Sequence, residues 1–450
     1  MASDEVYIAG GGLAGCEASW QLAKRGIKVK LYEMRPEMMT PAHTTGDLAE
    51  LVCSNSLKSR DQTTAPGMLK AELNALGSLL ISIAGKSSIP AGTALAVDRK
   101  RFSRIVTREI SENRNIKVVR EEFTDIDSHR PIIIASGPLT SERLSTQLRD
   151  LLGSKHLYFY DAISPTVTAE SIDMKKVFKA SRYDKGEGYY INCPLNKEEY
   201  DNFYNALLRS HPFPKWEFED DKFFEGCLPI EELAARGEDA LRFGPMKPVG
   251  LKDPRTGKMP YAVVQLRPED KRGKLYNMVG FQTRLNHREQ EEVFRLIPAL
   301  REAEFVRLGS SHRNTYINSP RHLDRTLLVK GTDGIYIAGQ LVGVEGYVES
   351  IAMGLVAGLS VWAAISGKEP PYFPPTTAIG ALLRYITTVP DGSFQPMNIN
   401  FGLIDSIKGR YKSKKEKRLA YYRRSIKEIE VIARAIEIKR KTKSSKGNRD

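Results

Sequence analysis

Three features of the 450-residue chain predict an α/β fold. A short apolar run, Val6-Tyr7-Ile8-Ala9, leads into Gly10-Gly11-Gly12-Leu13-Ala14-Gly15 and then into a helical pattern. A second apolar run, Ile335-Tyr336-Ile337-Ala338, also ends in glycine and also precedes a helix, this one rich in small residues. Between the two units the texture changes to aromatic clusters and alternating, strand-like segments. Strand–turn–helix units at both ends describe one parallel-sheet domain interrupted by a second α/β domain.

The first unit fits Gly-x-Gly-x-x-Gly at Gly10, Gly12 and Gly15. One glycine permits the tight turn, one lets the backbone approach a pyrophosphate, and one lets the helix pack on the strand. A diphosphate is then held at a helix N-terminus, where free N–H groups and the helix dipole favour negative charge. A second strand, Lys28 to Tyr32, ends at Glu33, 18 residues beyond Gly15, where an acid meets a ribose hydroxyl. Gly10, Gly11, Gly12, Leu13, Ala14, Gly15 and Glu33 are therefore candidate cofactor-binding residues of a Rossmann-like domain.

Pro41 to Ala65, rich in Thr, Ser, Gly and Asn, reads as a long loop bordering the cofactor. Residues 67–84 read as a helix. So does Ala96 to Ser111, with Phe102, Ile105, Val106 and Ile110 at helical spacing. Ile116 to Val119 reads as a strand and Pro131 to Gly137 as a buried strand ending in glycine, completing a first part of the nucleotide domain over residues 1–140. Residues 141–310 form the insertion, with Tyr158-Phe159-Tyr160, Phe223-Phe224 and strand-like Tyr261–Leu266 and Leu275–Phe281. The nucleotide domain resumes over 311–405, where Gly339, Gln340, Gly343, Gly346 and Tyr347 precede a helix from Val348 to Ser366. An extended FAD would span both strand–glycine–helix units, which favours FAD over NAD as the tightly held cofactor.

Residues 406–450 carry 17 Lys/Arg against 5 Asp/Glu, so nearly all of the net charge of +13 sits in the last tenth of the chain. Leu419, Tyr422, Ile426, Ile429, Ala433 and Ile436 give this segment one amphipathic helix, followed by a polar tail. A near-neutral body with a basic end suits a polyanion such as nucleic acid; a solvated tail is the alternative. No apolar run approaches the roughly 18 residues that cross a membrane. There is no basic n-region with a cleavage site, so no membrane partner and a cytoplasmic location are expected. The four cysteines, Cys16, Cys53, Cys193 and Cys227, are not spaced as Cys-x-x-Cys. They point to no metal and to free thiols. Cys16 lies within the first helix and reads as structural. Cys53 stands where an apolar stretch breaks into a polar loop, and Cys227 stands between Gly226 and Pro229 before a helix. Composition alone reads both as buried structural thiols, while a helix N-terminus beside Cys227 would also suit a nucleophile of depressed pKa.

The chain resembles the folate- and FAD-dependent tRNA (uracil-5-)-methyltransferases from about residue 5 to 430. The segments that carry the resemblance are the glycine fingerprint, Leu31-Tyr32-Glu33-Met34-Arg35-Pro36, Glu50-Leu51-Val52-Cys53-Ser54-Asn55-Ser56-Leu57, Phe224-Glu225-Gly226-Cys227-Leu228-Pro229-Ile230-Glu231-Glu232, and Gly343-Val344-Glu345-Gly346-Tyr347-Val348-Glu349-Ser350. The resemblance implies C5-methylation of a uridine in RNA, at the T-loop uridine of tRNA (position 54) or, as in some relatives, in ribosomal RNA. It implies FAD, 5,10-methylenetetrahydrofolate and NADPH or NADH as cofactors. It assigns Cys227 as the catalytic nucleophile at C6 of uracil and Cys53 to a place beside the flavin. Glu345 and Glu349 are candidates for the base at C5, and Tyr347 and His287 for contacts to folate. A general FAD-dependent oxidoreductase is the alternative; it accounts for the fingerprint and Glu33 but not for the two cysteine segments or the basic end. The sequence carries no signal of oligomeric state.

Overall fold

The computed structural model describes residues 5–128, 130–153, 157–162, 164–184, 190–211, 228–309, 311–389 and 394–437. Five parallel strands form the central sheet, in the spatial order Ile335–Ile337, Ile132–Ile134, Glu5–Ala9, Lys28–Tyr32, Ile116–Val119. The strands Ile132–Ile134 and Ile335–Ile337 are buried throughout, because helices and loops cover both faces of the sheet. The chain order reverses at Glu5–Ala9, which has the second strand on one side and the fourth on the other. A crevice opens at such a switch point, beyond the carboxyl ends of the strands.

The helix Leu13–Ala23 packs directly on the helix Tyr347–Ile365. Gly354 makes this approach possible, since a Cβ there would fall 2.3 Å from the Ala14 carbonyl oxygen. Tyr347–Ile365 is long and apolar enough to cross a membrane, contrary to the reading of the sequence, but 83% of that span is buried inside the protein. Its glycines, alanines and serines interrupt what would otherwise read as an apolar run. Two further expectations are corrected. Residues 67–84 are two helices, Ala65–Ala75 and Leu79–Lys86, parted at Gly77, whose φ of +73° takes the backbone out of the helix. The segment from Ala96 begins in a strand, Ala94–Val97, and the helix Arg99–Ser111 starts only after Asp98, whose carboxylate accepts from the Arg101 N–H. The long loop also holds a short strand, Ser56–Ser59, paired with Ala94–Val97.

The second sheet has six strands with antiparallel pairings, in the order Phe178–Lys179, Ile191–Leu195, Ala262–Pro268, Leu275–Met278, Thr166–Thr168, Phe305–Arg307. It has its own apolar core, including Tyr200, Phe203, Phe281 and Phe294. The strands Leu157–Ala162 and Ser311–Tyr316, which lead into and out of this part, pair with each other. At the C-terminal end the helix Lys414–Glu437 docks through Tyr421, Ser425 and Ile429. The Ser425 hydroxyl donates to the buried Glu72 carboxylate, which also accepts the Ala378 and Ile379 N–H groups at 2.6 and 2.9 Å. One carboxylate thus ties together the helices Ala65–Ala75, Ala378–Thr388 and Lys414–Glu437. Burial pushes its pKa up to about 7 against those hydrogen bonds.

Candidate active site

A cleft enclosing about 1020 Å³, counting the space open to solvent, lies at the carboxyl ends of the parallel strands. Gly10, Gly12, Leu13, Ala14 and Glu33 line it from the first unit, and Gly339, Gln340 and Tyr347 from the second. The glycines of the first turn do three different things. Gly10 has φ +106°, and a Cβ there would fall 2.5 Å from the Ala135 carbonyl oxygen. At Gly15 a Cβ would fall 1.9 Å from the Gly10 carbonyl oxygen, so this glycine seats the helix on the strand. Over Gly12 no atom stands within 4 Å of a Cβ position. That space faces the cleft at the N-terminus of Leu13–Ala23, whose cap makes no side-chain hydrogen bond. It is a cradle of backbone N–H groups fitted to a diphosphate.

Glu33 is buried beside this turn, and Oε2 accepts the Gly11 N–H at 3.1 Å. The same carboxylate takes the Arg35 backbone N–H and both Nε and Nη2 of its guanidinium, at 3.0, 2.9 and 3.2 Å. Burial opposes ionisation, but the hydrogen bonds and charge of Arg35 outweigh it and hold the carboxyl below its ordinary value. Arg35 also binds Glu50 at 3.0 Å, and Glu50 accepts from Thr44 and Thr45. Glu33 therefore reaches the cleft with its four acceptor positions already used, and a ribose hydroxyl bound there would have to share one of them. The chain Glu33–Arg35–Glu50 fixes the loop that carries Cys53.

In the second unit, Gly339, Gly343 and Gly346 all have positive φ, of +77°, +79° and +118°. Gln340 donates to Glu345 at 2.9 Å. Glu349 is fully buried and pairs with Lys58 at 3.1 Å. Tyr347 opens the long helix and points its hydroxyl at the Cys53 loop. The phenol oxygen lies 2.9 Å from the Cys53 N, 3.1 Å from the Ser54 N and 3.2 Å from Cys53 Sγ. Burial, then the charge of Cys53, push the Tyr347 pKa well above that of an ordinary phenol. Cys53 is thus held against Tyr347 and next to Val52, both of which line the cleft, while Cys53 itself is not among the lining residues.

Three arginines unremarked in the sequence surround the same loop. Arg99 donates to the carbonyls of Leu51 and Cys53, at 3.1 and 3.4 Å, and pairs with Glu269 at 2.6 Å. Arg307 donates to the Val52 carbonyl at 3.2 Å, and Arg267 to the Ser54 hydroxyl at 3.0 Å. Their signal is absent from the sequence because each comes from a different element. Cys227 lies outside the described residues; the chain resumes at Leu228, before the helix Ile230–Ala235. Cys16, whose thiol donates to the Gly11 carbonyl at 3.2 Å, and Cys193 are buried, and burial pushes both thiols up. His287 stands at the exposed start of the helix His287–Phe294 and does not line the cleft.

A family model described as Glucose inhibited division protein A matches residues 5–369. The methylenetetrahydrofolate--tRNA-(uracil-5-)-methyltransferase TrmFO of Moorella thermoacetica is 57% identical over 415 residues, covering 92% of this chain and 95% of that protein. The Bacillus subtilis protein of the same name is 53% identical over 436 residues, covering 97% of this chain and 100% of that protein. Among solved structures, Aquifex aeolicus GidA in its form II crystal matches with a TM-score of 0.68 at 17% identity, over 95% of this chain and 73% of that one. That last likeness is one of fold. At such identity over nearly the whole length of both partners, this chain belongs to the TrmFO family of methylenetetrahydrofolate--tRNA-(uracil-5-)-methyltransferases.

Proposed function

We propose that this chain methylates C5 of a uridine in tRNA, using FAD and methylenetetrahydrofolate, with NADPH or NADH as the source of electrons. The observation that carries the reading is the contact of Cys53 with Tyr347, a residue of the wall of the cleft that the glycine turn and Glu33 also line. The FAD diphosphate would rest over Gly12 at the N-terminus of Leu13–Ala23, Glu33 would share an oxygen with the ribose, and Gly339 to Tyr347 would border the far end. Bound flavin and folate supply the one-carbon unit and the two electrons that reduce it to a methyl group.

The protein's own part is nucleophilic and electrostatic. C5 of uracil is a poor nucleophile. When the Cys227 sulfur bonds to C6, electron density moves to C5, which would then take the one-carbon unit, the new carbon–carbon bond forming as that carbon's bond to its carrier nitrogen breaks. Loss of the C5 proton and expulsion of the Cys227 thiolate restore the ring. Cys53 would stand beside the bound flavin, and the Glu33–Arg35–Glu50 chain keeps its loop in place. The basic helix Lys414–Glu437 and the segment beyond it offer positive charge to the RNA backbone.

The test is a transfer assay with purified protein, labelled methylenetetrahydrofolate and NADPH, offered tRNA or ribosomal RNA. Label in tRNA uridine is the expected result. Label only in ribosomal RNA redirects the substrate, and NADPH oxidation with no label in either RNA overturns the reading. In the same assay Cys227→Ala is expected to abolish transfer, and 5-fluorouracil RNA to trap the parent covalently but not the variant.

A further inference from the structure

We propose that Cys53 is held as a thiolate, with the Tyr347 hydroxyl as its hydrogen-bond donor and the guanidinium groups of Arg99 and Arg307 as its counter-charge. The argument begins at the phenol. Its oxygen accepts the Cys53 N–H at 2.9 Å and the Ser54 N–H at 3.1 Å. A phenol has two lone pairs and one proton, so both acceptor positions are filled. The remaining contact, 3.2 Å to Cys53 Sγ, is left for the phenol's own proton, which makes the sulfur the acceptor. A sulfur that accepts from a hydroxyl is stabilised in its anionic form.

The charges around the loop point the same way. Arg99 comes from the helix Arg99–Ser111, Arg267 from the strand Ala262–Pro268, and Arg307 from the strand Phe305–Arg307. All three donate to residues 51–54, and Glu269, paired with Arg99, supplies the single carboxylate in these contacts. The Nε atoms of Arg267 and Arg307 are buried without a hydrogen-bond acceptor among the described residues. Burial, then the repulsion of Arg99, pushes the Arg307 pKa down to about 10. Positive charge in excess inside a protein is costly unless an anion stands near, and the Cys53 thiolate is the anion this loop can supply. Neighbouring arginines are a known way to depress a thiol pKa. Tyr347, Arg99 and Arg307 are thus positioning residues that act through Cys53. The proposal deepens the placement of Cys53 in the active site and rests on it for the use of the thiolate; the protonation state itself is read without turnover.

The test titrates Cys53 in flavin-loaded protein carrying Cys227→Ala, in which Cys16 and Cys193 are buried. Two readouts are taken against pH: the rate of iodoacetamide labelling of the Cys53 peptide, and the ultraviolet thiolate absorbance relative to the same protein with Cys53→Ser. The expected midpoint lies at least about one unit below the ordinary thiol value of about 8.5. Tyr347→Phe and Arg307→Met are each expected to raise it by about one unit or more at an unchanged far-ultraviolet circular dichroism spectrum. A midpoint at or above the ordinary value overturns the proposal, and so does a folded Tyr347→Phe variant with an unchanged midpoint. Should Tyr347→Phe fail to fold, Arg307→Lys and Arg307→Met decide: a midpoint kept low by lysine and raised by methionine supports the proposal, and one unmoved in both overturns it.

Discussion

The turn after Glu5–Ala9 and the turn after Ile335–Ile337 leave the same sheet and feed two helices that pack on each other, yet they serve the cleft by opposite means. In the first, the contribution is shape. Gly10 and Gly15 remove atoms that would collide with backbone, and Gly12 leaves open space in front of a helix end. In the second, the glycines clear room for side chains: a Cβ at Gly343 would fall 2.3 Å from the Phe394 ring and one at Gly346 2.4 Å from the Glu349 carboxylate, which pairs with Lys58, while Tyr347, next in the chain, meets Cys53. A glycine in a binding turn therefore has no single meaning. Its role is read from what its missing Cβ would have met.

Substitutions ranked by their cost in stability sharpen this contrast. The largest loss is expected at the two backbone contacts. Gly15→Val and Gly354→Val would each set a side chain within 1.9 and 2.3 Å of a carbonyl oxygen, so each should cost more than about 4 kcal/mol and leave little soluble protein. Soluble yield and thermal unfolding measure this; near-normal melting would show that the helices can lift apart freely.

Next stands Glu33→Ala, which leaves Arg35 buried without its main partner and should cost about 3–5 kcal/mol in urea unfolding. Its pH signature has a definite sign. The folded carboxyl lies below the unfolded value of about 4.3, so the pair contributes fully above that value and less as the pH falls through the folded pKa. The deficit of the variant against the parent should therefore shrink in that acidic window. A deficit independent of pH would assign the loss to packing instead.

Gln340→Leu removes one partly buried hydrogen bond and should cost about 1 kcal/mol while flavin stays bound; colourless protein would give the second turn a direct share in holding the cofactor. The smallest change in stability is expected from Gly12→Val. Gly12 has φ −75° and open space at its Cβ, so the flavin-free variant should unfold within about 0.5 kcal/mol of the flavin-free parent. It should nevertheless purify without flavin, since the new side chain occupies the diphosphate cradle. A full flavin spectrum from this variant would break the contrast between the turns.

What could be read from the sequence follows the same division. Shape made by backbone leaves a local signature, so the fingerprint, the strand ending at Glu33 and the small-residue helix after Gly346 were all legible. Contacts made by side chains across the fold were not. Glu33 was legible as an acid at the right spacing, but its engagement by Arg35 depends on how two residues turn after the strand. Cys53 and Tyr347 stand 294 residues apart, and no pattern links them. Arg99 reads as part of an ordinary basic stretch, Arg99-Lys100-Arg101, and becomes part of the site only when Ala94–Val97 ends as a strand and the helix begins. The misplaced start of that helix has a simple cause: Ala96 and Val97 fit the apolar spacing of the helix that follows, so the helical pattern runs back through the boundary, although Asp98 and the charged run Arg99-Lys100-Arg101 mark where the strand ends and the helix begins.

The strand Ile335–Ile337 has a consequence for the order of events on the ribosome. It pairs with Ile132–Ile134, a neighbour made some 200 residues earlier, and the helix after it covers the fingerprint helix. At roughly 5–20 residues per second, about 10–40 s of synthesis separate the two strands. During that interval the nascent sheet has an uncovered edge and half a cleft. The intervening six-stranded sheet, with a core of its own, can mature while the sheet that flanks it in sequence still waits for its last strand. The cleft is therefore completed after the six-stranded sheet has been made and before the C-terminal helix can dock, and an arrested chain that stops short of Gly339 has a nucleotide fingerprint but not the second wall of the cleft.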